Sequence, residues 1–509
     1  MSSPMPPRLV VAGTHSGVGK TTIATGVMAA LRKLGHRVAS AKVGPDFIDP
    51  GYHSVATGRP AQNLDSWICG ADAMAPLAAK AAAGSDLLVV EGVMGLFDGA
   101  SWSPGAPSRS GGPGSGATPG SDATPGSDAD VSTCGGKAST TRGGTASTAE
   151  MTVLLHAPTI LVVDASAMST SVAALVHGYH TFDPDVSLSG VILNQVGSPH
   201  HELLLREALA PLIEHGVPVL GALHRDDALT WRDRHLGLVP VVERPTEVAE
   251  AVDRLADAIA RAVDLDAVVS VAQSAPKMSV DSIGQLTETR PMVPPGGSVR
   301  IAVPGGRAFS FAYPDNVARL VEAGAEIVAF DPLVDPALPD GTDGLYAGGG
   351  FPEVYAEALS SNRPLLADVR RRIEQGLVAW AECGGLLWLC RSLDGHELCG
   401  AIEADGAMTG RLSLGYRVAT ARSETPVAAR GAALRGHEFH YSTVDPGGSA
   451  LDLEGRTGSA SAGFSTPTLL ASYLHLHLGA DPHPAERFVA TALAQVQGRH
   501  GSAGSMIRP

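Results

Sequence analysis

The sequence predicts an α/β chain with two doubly wound, mostly parallel-sheet domains, and three observations lead there. Short apolar runs such as LVVA, DLLVVE, TILVVD and GVILNQV alternate with longer helix-like stretches, the pattern of parallel strands joined by crossover helices. The stretch Gly13 to Thr22, GTHSGVGKTT, stands between one such strand and the helix-like run IATGVMAALRKLG. Far downstream, LVAWAECGGLLWLC repeats the order of strand, small-residue corner and helix. At 509 residues the chain is too long for one ordinary core. The expected division is a first domain at 1–262, a linker at 263–298, a second domain at 299–497 and a tail at 498–509.

Composition narrows the function classes. A hydrophobic fraction of 44% with 17% charged residues is globular, and a net charge of -15 argues against a general nucleic-acid or anionic-membrane surface. No apolar run approaches the roughly 20 residues of a membrane helix, and MSSPMPPRLVV lacks a signal-peptide pattern, so a cytoplasmic location is expected. Five scattered cysteines without paired spacing indicate neither a disulfide framework nor a zinc site.

GTHSGVGKTT reads as a phosphate cradle. Glycines let backbone N–H groups converge on an anion, Lys20 brings a cation to the transferable phosphate, and Thr21 can hold Mg²⁺. Gly13, Gly17, Gly19, Lys20, Thr21 and Thr22 are therefore the candidate nucleotide-binding residues, although Thr14 stands where the usual motif has its first glycine. The next strand, RVASAKV, runs into the loop GPDFIDPGYH, and strand ends in open α/β sheets face the ligand crevice. Lys42 there suits phosphate charge and Asp46 a metal or a reacting group, with Asp49 beside them; loop aspartates also form turns, so spacing alone leaves both readings. Glu91 ends the run LLVVE, where a second metal carboxylate is expected, and Asp98 in the following loop is the third acidic candidate. Residues 101–146, with ATPGSD repeated in tandem, are too poor in apolar side chains to order themselves and are expected to be a disordered insertion. Asn194 ends the strand LSGVILNQV, where an amide can bond a base edge or serve a turn.

The second series starts at VRIAVPGG and includes Gly348, Gly349 and Gly350, a backbone donor site for an oxyanion. In AECGG, Cys383 occupies a corner like a nucleophile elbow, and the helix N-terminus that follows favours a thiolate. Cys390 and Cys399 read as inert core residues. A nucleophilic cysteine needs a base, and two histidine clusters follow, His437 with His440 and His475 with His477. Strand alternation would put His475 and His477 on one face, so that one could orient the other.

Together, KVGPDFIDPGYH, QNLDSW, VVEGVMGLFDG, ILNQVGSPHH, GGGFPE, AECGG, GHEFHYS and SYLHLH resemble the cobyrinate or hydrogenobyrinate a,c-diamide synthases of cobalamin biosynthesis. In that resemblance the first half looks like a dethiobiotin-synthetase-like P-loop ATPase and the second like a class I glutamine amidotransferase. It implies a ligase that uses ATP, Mg²⁺ and glutamine to amidate the a and c acetates of a tetrapyrrole, with a homodimer left open. By the same resemblance Cys383 would attack glutamine with His475 as base, Thr21, Asp46 and Glu91 would hold the metal, Lys20 and Lys42 would stabilise phosphate, and Asp49, Tyr52 and Asp98 would lie near the reacting carboxylates. The usual triad ends His-x-Glu, whereas here His477 takes the last place, which leaves the third member altered or absent. Cobyric acid synthase and a nickel-tetrapyrrole diamide synthase are the rival readings. A ParA/MinD-like switch ATPase is disfavoured, because that class carries a signature lysine where His15 stands and has no amidotransferase half.

Overall fold

The runs RLVVAG (Arg8–Gly13), VASAKV (Val38–Val43) and LLVVE (Leu87–Glu91) are buried along their whole length, as strands covered by helices on both faces must be. A computed structural model describes residues 3–100, 141–226, 233–234, 237–280 and 299–504. Among these, seven parallel strands form the first sheet, in the order Gln62–Leu64, Val38–Val43, Leu87–Glu91, Arg8–Gly13, Thr159–Asp164, Leu188–Val196, Val219–His224. Helix Lys20–Lys33 packs on this sheet and against helix Pro245–Ala262, whose Val248, Val252, Leu255 and Ile259 recur at helical spacing on one buried face. Gly26 lets the two helices close up, since a Cβ there would sit 2.4 Å from Ile259 Cγ1.

Most of the expected insertion, residues 101–140 with Cys134, lies outside the described residues. Residues 141–146 differ from the expectation of disorder. They form turns in which Thr141 and Ala146 are buried, because the Arg142 and Ala146 amides donate to Asp183 Oδ2 at 2.7 Å and Glu150 Oε2 at 2.7 Å. Of the expected linker, Leu265–Gln273 is a helix capped by Asp264, and Ser279–Val280 pairs with Ser3–Pro4; residues 281–298 lie outside the described residues. The final helix, His483–Gly504, runs into the stretch expected to be a tail.

The second unit holds a six-stranded sheet in the order Ala325–Phe330, Val299–Pro304, Gly344–Ala347, Val378–Glu382, Leu469–Ser472, Phe464–Thr466, parallel except for its last pair. Beside it stands a second, mainly antiparallel sheet built on the long strands Ile402–Ala421 and Ala433–Asp445. A second sheet departs from the simple doubly wound expectation. Its strands alternate buried and exposed residues, as in Leu451–Gly455, because only one face is covered.

The two units touch through side chains that each contributes. Tyr416 stacks on Trp67 at 4.6 Å between ring centroids and donates its hydroxyl to Asp65 Oδ2 at 2.8 Å. Phe47 stacks on Tyr313 at 4.4 Å, and the Tyr313 hydroxyl donates to the Pro45 carbonyl at 3.0 Å. Among the described residues, no helix is long and apolar enough to cross a membrane.

Candidate active site

The cradle lies between strand Arg8–Gly13 and helix Lys20–Lys33, and its glycines serve different needs. Gly17 and Gly19 take positive φ values of 82° and 95°, which side chains disfavour. A Cβ on Gly13 would lie 2.5 Å from Val18 Cγ1, so that position needs glycine for space. Lys20 donates to the His15 carbonyl at 3.0 Å, and burial with Lys42 nearby lowers its ammonium to about 8. Asn194 spends its amide on the Val18 carbonyl at 3.0 Å, so it buttresses the cradle. That contact differs from the base-edge reading and follows from Asn194 standing directly behind Gly19.

Lys42, Asp49 and Glu91 converge beside Thr21. Lys42 and Glu91 are register partners at the carboxyl ends of adjacent parallel strands, so their side chains leave the same face. Lys42 Nζ lies 2.8 Å from Asp49 Oδ2 and 2.9 Å from Glu91 Oε1, and Thr21 Oγ1 lies 2.7 Å from Glu91 Oε1 and 3.3 Å from Asp49 Oδ2. Burial works against the charge of Lys42, but Asp49 and Glu91 outweigh it and hold the ammonium above its ordinary value. Burial likewise works against Glu91, while Lys42 and His53 hold its carboxyl below the usual range.

Asp46 was expected as a metal ligand, but Asp49 is the aspartate at Thr21 and Glu91. The Asp46 side chain turns back to accept the Ile48 amide at 2.8 Å and bonds Asp49, and burial followed by Asp49 raises its carboxyl. Asp98 is exposed and accepts the Gly95 amide at 2.9 Å. His53, which sequence reasoning passed over, is fully buried with Nε2 2.6 Å from Glu91 Oε2. Its spacing within DPGYH, four residues after Asp49 on helix Asp49–Thr57, was the available signal. Thr21, Asp49 and Glu91 supply a hydroxyl and two carboxylates, which suits Mg²⁺ on a nucleotide, since phosphates and water complete its octahedron.

In the second unit, strand Val378–Glu382 ends at Cys383, a non-glycine residue with φ 48° and ψ −99°, and helix Gly384–Leu389 follows. This is the strained corner expected of an elbow. A Cβ on Gly385 would meet the Ala347 carbonyl oxygen at 2.2 Å, so the small residues are what let the corner close. Cys383 shares a cavity with His475, Gly350, Phe311 and, from the first unit, Asp46 and Phe47. Burial opposes the charge of His475, but Cys383 and Glu382 beside it raise the imidazole to about 10. His437 stacks on His475 at 5.0 Å, and burial and its histidine neighbours keep it neutral. His440 stacks on Tyr473 at 3.6 Å and is lowered by burial to about 4. Cys390, raised by burial to about 12, and Cys399, raised well above its ordinary value, are inert core thiols as expected.

His477 does not stand as the partner of His475 that alternation suggested. The strand is only His475–Leu476, and His477 Nδ1 instead lies 3.1 Å from Cys69 Sγ and accepts the Gly479 amide at 3.2 Å. The carboxylate facing His475 Nδ1 is Glu382, at 3.6 Å.

Comparison with known proteins matches the two units separately and the chain as a whole. Residues 9–239 match the CobQ/CobB/MinD/ParA nucleotide binding domain, and residues 300–483 match the CobB/CobQ-like glutamine amidotransferase domain. A hydrogenobyrinate a,c-diamide synthase of Streptomyces coelicolor is 44% identical, over 95% of this chain and 97% of its own length. One of Mycobacterium tuberculosis is 41% identical over 95% and 97%, and a cobyrinate a,c-diamide synthase of Synechococcus is 38% identical over 96% and 100%. Alike to these relatives over almost its entire length, the chain belongs to the hydrogenobyrinate/cobyrinate a,c-diamide synthase family.

Proposed function

We propose that the chain amidates the a and c acetate side chains of hydrogenobyrinate, with glutamine as nitrogen donor and ATP as activating co-substrate, in cobalamin biosynthesis. The observation that carries this reading is the eight-residue span Lys42 to Asp49, which ends in the ATP-side cluster and places Phe47 against His475, with ring centroids 4.9 Å apart. One continuous segment thus borders both reactions. Of the relatives named above, those named for the metal-free acid are more similar to this chain than the one named for cobyrinate, which favours hydrogenobyrinate.

In the second unit His475, protonated near neutral pH, holds the proton that the Cys383 sulfur gives up, and the sulfur attacks the glutamine side-chain carbonyl. The Gly350 amide, close to Gly384 at the start of the elbow helix, and the small-residue turn around it supply donors for the oxyanion. His475 then protonates the leaving ammonia, and water releases glutamate from the thioester. In the first unit an acetate oxygen attacks the γ-phosphorus of ATP and ADP leaves. Lys20 and the cradle amides stabilise the charge of the transferred group, and Lys42 holds the two carboxylates in place. Mg²⁺, held by Thr21, Asp49 and Glu91, would neutralise phosphate charge. Ammonia adds to the acyl phosphate and phosphate leaves, giving the amide, and the sequence repeats on the second acetate.

The test is ADP release and product mass with glutamine and MgATP, run in parallel on hydrogenobyrinic and cobyrinic acid. A diamide from hydrogenobyrinic acid is expected, and ATP turnover with no amide from either acid would refute the reading. Cys383→Ser is expected to abolish glutamine-dependent amidation and retain the ammonia-dependent reaction, whereas Lys20→Ala removes both. Loss of both in Cys383→Ser would sink the two-site scheme.

A further inference from the structure

The position two residues after the base, where an acid is usual, holds His477, and its ring is committed to Cys69 and Gly479. A carboxylate nevertheless reaches His475 from another direction. We infer that Glu382, the residue immediately before the nucleophile, is the positioning residue that orients His475 and stabilises its imidazolium. This rests on the glutaminase reading of Cys383.

Three observations carry the inference. Glu382 Oε2 faces His475 Nδ1 at 3.6 Å, which leaves Nε2 for the thiol. That separation exceeds a hydrogen bond, as catalytic contacts in resting enzymes often do before substrate tightens them. Second, both carboxylate oxygens are anchored. Oε1 accepts the amide of Leu476, the residue next to His475, at 3.0 Å, and Oε2 accepts the Tyr346 hydroxyl at 3.2 Å. Third, Glu382 is 1% exposed, and among the described residues its one ion-pair contact is His475. A buried carboxylate is costly without a cation, so the charge of each group stabilises that of the other.

The elbow explains how sequence neighbours serve one ring. In a regular strand, consecutive side chains point to opposite faces. The positive φ at Cys383 breaks that alternation, so Glu382 and Cys383 both face His475 and favour its charged form. The other charged or titratable groups near the ring are His437, Glu438 and His440 from strand Ala433–Asp445, with Glu438 engaged by Arg417 at 2.8 Å, and Asp46 and Glu353, which line the same cavity. In the reaction the proton given up by the thiol is held at Nε2 and passes to ammonia, while the Glu382 carboxylate faces Nδ1 and fixes the ring's orientation.

The experiment compares full-length Glu382→Gln and Glu382→Asp with the parent enzyme. Glutamate release is followed against pH, and ammonia-dependent amidation reports folding of each variant. Glu382→Gln is expected to lose about 100-fold or more in glutaminase kcat/KM, nearly all in kcat. The alkaline limb of its profile, where His475 loses its proton, should move to lower pH. Glu382→Asp, which keeps the charge on a shorter stem, should lose less and keep its alkaline limb near the parent's. Parent-like glutaminase kinetics in Glu382→Gln overturns the inference, and so does a loss in kcat with the alkaline limb unmoved, the mark of a merely structural carboxylate. If Glu382→Gln fails to fold, the Asp variant decides. A kcat reduced about 10-fold at unchanged KM supports the role, and a parent-like kcat refutes it. Glutamine-dependent turnover surviving in Cys383→Ser would instead remove the reading on which the inference rests.

Discussion

Replacing Lys42 by methionine keeps most of the side chain's volume and removes its charge, leaving Glu91 and Asp49 without their shared cation. At the effective dielectric of about 20 suited to protein sites, a contact near 2.9 Å is worth about 6 kcal/mol of attraction before desolvation is counted. The measurable loss is smaller, because removing one member of a buried pair typically costs about 3–5 kcal/mol. Glu91 keeps His53 and both carboxylates keep Thr21, which places Lys42→Met near the lower end, about 3 kcal/mol. For a unit of about 150–250 residues that corresponds to a melting midpoint lowered by roughly 6–12 °C. The sign with pH is fixed by Glu91, whose folded carboxyl lies below its ordinary value of 4.5. Its contribution to stability is fully present above that value and is lost as pH falls through the folded value. The gap between parent and variant should therefore be full at neutral pH and narrow toward acid. Thermal unfolding by circular dichroism between pH 3.5 and 7.5, with ADP release on ammonia and glutamate release on glutamine, tests this. Ammonia-dependent turnover should collapse while glutamate release persists. Parent-like melting at pH 7 together with parent-like ADP release would show that Lys42 does not hold this cluster.

Two further substitutions probe the close approaches at each centre. Gly19→Ala forces a side chain into positive φ and sets its Cβ 2.3 Å from Asn194 Nδ2, so nucleotide affinity measured by calorimetry should fall at least about 10-fold. Gly349→Ala puts a Cβ 2.6 Å from His475 Cε1; glutamate release should drop about 100-fold with ammonia-dependent amidation retained, and equal loss of both would contradict the separation of the two sites.

What sequence made legible followed from strong local rules. GTHSGVGKTT needs glycine where the backbone turns through positive φ, and Lys42 and Glu91 stand out as charges inside otherwise apolar strands. Cys383 stood out because small residues crowd its corner. What stayed hidden depends on contacts between distant segments. Asp46 and Asp49 are indistinguishable in GPDFIDP until the turn shows that one caps the Ile48 amide and the other reaches Lys42. Nothing in the sequence singles out Glu382, because only the backward turn at Cys383 brings it to His475. His477 matched strand periodicity, yet the strand stops at Leu476, and the ring meets Cys69, which lies 408 residues earlier in the chain. No local rule reports such a partner.

The segment from Lys42 to Asp49 also limits how this architecture can be rebuilt. Asn63 pins its middle by donating to the carbonyls of Gly44 and Asp46, and Phe47 is wedged among Phe311, Tyr313 and His475 of the other unit. A residue inserted or deleted there would dislodge Asp49 from Thr21 and pull the aromatic ring out of its slot in the same event. The halves are consequently poor interchangeable parts. A chimaera joining this first unit to a foreign amidotransferase would leave Phe47 facing water unless the recipient also brought aromatic side chains to meet it, so the two halves are bound to drift in step.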